Sequence, residues 1–212
     1  MKKLGICLLI ACLAGACNAK PQESVAPAVS AENTVSHPTG NKTPHILVAY
    51  FSRADENYSV GNIRTGNTQK VAEEIARQTG GTLFHIQPVK SYPAAYKPCT
   101  EVAKQEQDAQ ARPTLTQKVP DMDQYDVIYL GYPIWWGDVP MAVYTFLESY
   151  DFSNKIIRPF ATHEGSGLGR TPTTLPKALP HSKVSPGLAL YGHVAQNEPD
   201  RVRTAVSQWI AQ

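Results

Sequence analysis

Residues 46–76 read ILVAYFSRADENYSVGNIRTGNTQKVAEEIA. ILVAYF is an unbroken apolar run, the pattern of a short strand buried on both faces. A polar stretch follows, and Thr65–Thr68 (TGNT) then opens a segment with Val71, Ala72, Ile75 and Ala76 on one helical face. A strand that runs through a hydroxyl- and glycine-rich turn into a helix is a device for holding an anion. The first-turn N–H groups lack partners and the helix dipole favours negative charge there. The same four residues also read as a simple helix cap, since Thr and Asn are common N-caps. Taken alone, the stretch supports both readings equally.

The rest of the chain repeats this alternation. TLFHIQP (82–88) reads as a second strand, and the polar stretch Cys99–Ala111 as a helix with Val102 and Ala103 on its weak apolar side. DVIYLGYP (126–133) is the clearest buried strand, MAVYTFLESY (141–150) a helix, and KIIRPFATHEG (155–165) a fourth strand with its loop. Leu168–Leu179, interrupted by Pro172 and Pro176, is a loop or a helix. SPGLALYG (185–192) is a fifth strand, and Glu198–Ala211 a closing helix buried along Val202, Val206, Trp209 and Ile210. Alternating strands and helices predict an α/β fold with a doubly wound, five-stranded parallel sheet and helices on both faces. Such folds bind ligands beyond the C-terminal ends of the strands. Three loops therefore matter: Ser52–Thr68, Pro133–Pro140 and Thr162–Gly169.

In the first loop, Ser52, Thr65 and Thr68 supply hydroxyls, and Gly66 lets backbone approach a phosphate. Gly61–Thr68 is G-x-x-x-x-G-N-T, one residue from a nucleoside-triphosphate loop, but Asn67 stands where that loop needs lysine. ATP or GTP hydrolysis is disfavoured, whereas a single monophosphate needs less charge. The second loop holds two of the three tryptophans, Trp135 and Trp136, side by side. Flat side chains at a ligand-binding edge suit stacking on an aromatic ring. The bland alternative is that one of the pair anchors the loop in the core. The third loop (THEGSGLG) is rich in glycine and can offer backbone polar groups to a ring edge. It lacks the second histidine of H-E-x-x-H and the spacing of G-x-S-x-G, which disfavours a zinc protease and a serine hydrolase. His163 is a candidate general acid or a hydrogen-bonding wall.

The 212-residue chain opens with two lysines and an apolar run, LGICLLIACLAGA (4–16), the pattern of an export signal. We read residues 1–16 as a signal peptide. Ala14-Gly15-Ala16 suits plain cleavage, while Cys17 after small residues suits lipidation, although Ala14 stands where a lipobox has Leu. Leu9–Cys12 fits a lipobox better but leaves a very short apolar run. The reading adopted is an exported protein, periplasmic or membrane-anchored through lipidated Cys17. Residues 17–43, rich in Pro, Ser, Ala, Thr and Asn, read as a disordered tether to a domain over 44–212. Lys2 and Lys3 carry the whole formal charge of +2, so the chain after residue 16 is neutral and nucleic-acid binding is disfavoured. Three of the four cysteines lie in or beside the leader. Cys99 alone remains, with no disulfide framework or metal spacing.

FSR…TGNTQKVAEEIA, LGYPIWWGDVP and PFATHEGSGLG resemble the flavodoxin family, in particular a bacterial branch with a paired-Trp loop and a THEGSG loop. The resemblance covers residue 45 to the C-terminus. It implies strand order 2-1-3-4-5 and noncovalent FMN. It implies a phosphate held by Ser52, Arg53, Thr65, Gly66, Asn67 and Thr68. It also implies a ring flanked by Pro133, Ile134, Trp135, Trp136 and Gly137, and by Thr162, His163, Glu164, Gly165, Ser166 and Gly167. Two departures stand out. Residues 54–64, with Tyr58 and Arg64, are inserted between the strand-end serine and TGNT. The neutral mature chain also differs from acidic electron-shuttle flavodoxins. The expected function is electron transfer through FMN to a redox partner protein or a quinone. The alternatives are a NAD(P)H-dependent quinone or flavin reductase, and an exported lipoprotein that has lost the flavin.

Overall fold

A computed structural model of the protein describes residues 43–212. The signal peptide, Cys17 and nearly all of the tether lie outside the described residues. β1 (Ile46–Tyr50) runs through the centre of a parallel sheet, with β4 (Thr82–His85) on one side and β5 (Val127–Pro133) on the other. β6 (Ile156–His163) lies beyond β5. The next position is divided between β7 (Lys183–Val184), paired with the start of β6, and β8 (Leu188–Tyr191), paired with its end. The order is thus 2-1-3-4-5 as expected, with the fifth position built from two short strands instead of one.

The period of two along β1 divides the core. Leu47, Ala49 and Phe51 face a cluster that includes Ala142, Val143, Phe146 and Leu147 of α3 (Met141–Leu147) and Leu175 of α4 (Thr171–Ala178). Val48 and Tyr50 face the opposite cluster. It contains Val71, Ala72 and Ile75 of α1 (Asn67–Thr79), Val194 and Ala195 of α5 (Gly192–Asn197), and Val202, Val206 and Trp209 of α6 (Pro199–Ile210). α1 begins within TGNT, where its sequence pattern predicts, and Leu168–Leu179 resolves in favour of a helix.

Two local features depart from the sequence reading. Residues 54–64 form an antiparallel hairpin of β2 (Asp55–Asn57) and β3 (Gly61–Ile63). α2 spans Tyr96–Asp108 and starts one turn before the expected Cys99. The reason lies 40 residues away: the Glu56 carboxylate of the hairpin accepts the Tyr96 N–H at 2.8 Å, which satisfies an orphan donor of the first turn. Pro98 sits in that turn, where its missing N–H costs nothing. Among the described residues no helix is long and apolar enough to cross a membrane.

Candidate functional site

The C-terminal ends of β1, β5 and β6 open onto a cleft of about 390 Å³. Arg53, Asn67, Pro133, Ile134, Trp135, Trp136, Thr162, His163, Glu164 and Ser166 line it, so all three predicted loops converge. Ser52, Thr65, Gly66, Thr68, Gly137, Gly165 and Gly167 are not among the lining residues.

At the α1 end, Gly66 is the N-cap residue and its backbone lies hard against the end of β1. A Cβ there would collide with Ser52 Oγ and sit 2.5 Å from the Arg53 carbonyl oxygen. No side chain of TGNT caps the helix. Ser52 does so from the preceding loop, its Oγ accepting Gln69 N–H at 3.1 Å. Its hydroxyl proton stays available. The N–H groups of Thr65, Gly66, Asn67 and Thr68 have no hydrogen-bond partner among the described residues. Thr68 turns inward, and its hydroxyl shares a buried 2.7 Å hydrogen bond with Thr162, tying the first loop to the third. Arg53 reaches the cleft wall, but its guanidinium donates to the carbonyls of Glu56 (2.7 Å), Pro93 (2.9 Å) and Ala94 (2.7 Å). It fastens the hairpin to the segment before α2.

Residues 135–138 close a tight turn. Trp135 and Asp138 exchange backbone hydrogen bonds of 2.9 and 3.0 Å, and Trp136 and Gly137 have φ of +49° and +80°. This is the backbone of a two-residue primed turn, in which a tryptophan occupies a left-handed position that costs about 1 kcal/mol. The turn separates the paired rings. Trp135 is the anchor, edge-on to Phe51 (5.2 Å) and Tyr92 (4.9 Å). Trp136 is 51% exposed, its Nε1–H donating to the Thr100 carbonyl of α2 at 2.9 Å. Buried Asp138 holds the turn from below. It accepts Val139 N–H (2.9 Å), the Thr174 hydroxyl (2.9 Å) and the Tyr144 hydroxyl (3.3 Å), with Arg170 at 3.7 Å.

The third loop is steadied by α5, a helix the sequence reading did not predict between the fifth strand and the closing helix. Glu164 accepts both the backbone N–H and the Nδ1–H of His193, each at 2.8 Å. Gln196 donates to Asn67 Oδ1 at 2.7 Å and to the Thr65 carbonyl at 2.8 Å. Gly192 permits this meeting, because a Cβ there would collide with Asn67 Nδ2 and lie 2.9 Å from Glu164 Oε1. His163 accepts Gly165 N–H at Nδ1 (2.9 Å), which places its own proton on Nε2. Burial lowers its pKa, with Glu164 opposing and His193 reinforcing the shift, so at neutral pH it is an uncharged donor on the cleft wall.

The sequence reading missed the α2 contribution: Tyr96, Cys99, Thr100 and Ala103 also line the cleft, as do Asn57 and Tyr58 of the hairpin. The Cys99 thiol is buried and its pKa is raised, first by desolvation, so it is held protonated and unreactive.

A sequence model described as Flavodoxin matches residues 45–210. The chain belongs to the flavodoxin family. Two similar structures are candidate flavoproteins, one from Bacteroides eggerthii and one from Bacteroides uniformis. The first is 29% identical, with 80% of this chain and 99% of that chain covered and a TM-score of 0.63. The second is 31% identical, with 81% and 100% covered and a TM-score of 0.62. A flavoprotein from Lactobacillus acidophilus solved in complex with FMN shares the fold at 18% identity, covering 74% of this chain and 99% of that chain (TM-score 0.57). No curated protein matches.

The cleft's chemistry fits FMN, the group bound in the Lactobacillus acidophilus flavoprotein. Four unpartnered amides and the Ser52 hydroxyl suit one phosphate group. The exposed Trp136 ring and the polar third loop suit a flat ring with a polar edge.

Proposed function

We propose that the protein transfers electrons through noncovalently bound FMN, with a redox partner protein or a quinone as its counterpart. One observation carries this reading: the unpartnered amide turn at the start of α1 and the paired-Trp turn border the same cleft. The amides of Thr65–Thr68 and the Ser52 hydroxyl hold the phosphate. Pro133–Gly137 and Thr162–Gly167 flank the ring, and His163 offers its Nε2 proton to the ring's polar edge. Arg53 acts as a brace, keeping the hairpin against the cleft. FMN, when bound, accepts and releases electrons singly or in pairs, and the protein's part is binding, orientation and exclusion of water. We further propose that residues 1–43 export the domain and tether it, through Cys17 where that residue is lipidated.

The purified protein tests this directly. Yellow colour, or saturable quenching of tryptophan fluorescence by added FMN, is the expected result, together with bleaching by dithionite. A colourless protein whose fluorescence is unchanged by FMN would sink the flavin reading.

A further inference from the structure

The inserted hairpin puts an aromatic wall on the cleft that neither the phosphate end nor the ring-flanking loops require. Tyr58 is 62% exposed and Tyr96 39% exposed, although both line a concave site. Their ring centroids are 5.8 Å apart with planes inclined at 34°. Trp136, bonded to Thr100 one turn along α2 from Tyr96, lines the same cleft. The wall is rigidly mounted. Glu56 holds the first amide of α2, Arg53 binds the carbonyls of Pro93 and Ala94, and Asn57 donates to the carbonyls of Ala54 (3.1 Å) and Asp55 (3.2 Å). Two large exposed rings on a braced support in a cavity are a recognition surface for a flat molecule.

Charge narrows the class. Among the described residues Arg53 is the only lysine or arginine lining the cleft, and its guanidinium is engaged by three backbone carbonyls. Glu164 is the only carboxylate of that lining among the described residues, and it is held by His193. The nearby ammonium of Lys104 is paired with Asp108. Once the α1 amides hold the FMN phosphate, no free cation of the lining remains for a pyrophosphate. The surface is aromatic and close to neutral, which suits an uncharged ring and disfavours a dinucleotide.

Resting on the FMN reading above, we infer that Tyr58 and Tyr96 form a binding subsite for an uncharged, flat conjugated molecule of the quinone class, and that the cleft does not take a nicotinamide dinucleotide. The concave shape selects a small molecule over the flat face of a partner protein.

Calorimetric titration of the oxidised, FMN-loaded protein with menadione, where no turnover occurs, tests this together with parallel FMN titrations of the apo protein. Menadione should bind the wild type. Tyr58→Ala and Tyr96→Ala should each weaken it about fivefold, with FMN affinity within about twofold of wild type. Tyr58→Phe should keep menadione affinity, since the ring and not the hydroxyl makes the surface. NADPH should give no binding heat. Loss of FMN affinity equal to the loss of menadione affinity would assign the tyrosines to the flavin instead. Absence of menadione binding, or saturable NADPH binding that the tyrosine variants weaken, would overturn the inference while leaving the flavin reading intact. Failure of the wild type to bind FMN would remove both.

Discussion

Trp136 shows how one residue can serve a site at the expense of the fold. Its φ of +49° is a backbone region that only glycine enters freely. Trp136→Gly should therefore leave the apo protein more stable than Trp136→Ala by about 1 kcal/mol, as read from urea midpoints. Both variants should bind FMN more weakly, by about 1 kcal/mol for loss of an aromatic contact. Trp135→Ala should behave differently. Its ring packs against Phe51 and Tyr92, so truncation should lower stability by roughly 2–4 kcal/mol as well as FMN affinity. Two glycines permit a similar contrast. Gly66→Ala drives a Cβ into backbone at the end of β1, which cannot yield, and should cost roughly 1–3 kcal/mol and lower FMN loading. Gly192→Ala displaces the ends of the Asn67 and Glu164 side chains, which can move. It should weaken FMN binding with a smaller change in thermal midpoint.

At the scale of elements, the hairpin and α2 behave as one unit. Glu56 links them by capping α2, with Arg53 and the Tyr58–Tyr96 contact on either side. Replacing Glu56 with Ala removes a charged acceptor from a helix N-terminus and should cost about 1 kcal/mol. Its second effect is the informative one. Proteolysis should become faster within residues 54–64, while the central sheet keeps its hydrogen-exchange protection. Equal loss of protection throughout the sheet would contradict a hairpin mounted on α2 and the segment before it. α5 plays the matching role on the other side, because its six residues reach both Asn67 and Glu164.

For the whole molecule, a pH dependence follows from two partly buried imidazoles. His85 lies stacked on Tyr50 with centroids 4.9 Å apart and donates from Nε2 to the Ser52 carbonyl at 3.1 Å. Burial lowers its pKa below the ordinary 6.5, the hydrogen bond opposing only in part, and His163 is shifted the same way. Groups with folded pKa values below their unfolded ones take up protons on unfolding. Their neutral forms are favoured in the fold above about pH 6.5, and stability falls as pH drops below that value. Urea midpoints should decline from pH 7 to pH 5.5, with a shallower decline in His85→Gln. An unchanged slope in that variant would assign the dependence to other groups.

The sequence by itself determined the alternating architecture, the start of α1 and the three loops that meet at the cleft. These are local properties: apolar period, glycine and proline placement, and helix-start chemistry act over a few neighbouring residues. It also left two choices that packing made, namely which tryptophan anchors and which is exposed, and which residue caps α1. Only tertiary structure decided how the helix of the opening stretch is capped. Its helix cap comes from Ser52, leaving the TGNT amides free, while Arg53 is drawn away to carbonyls 40 and 41 residues along the chain. The early start of α2, the two-part fifth sheet position and the bracing of the third loop by His193 and Gln196 have the same origin. Each depends on a hydrogen bond or strand pairing between residues distant in sequence, whose partners no local pattern encodes.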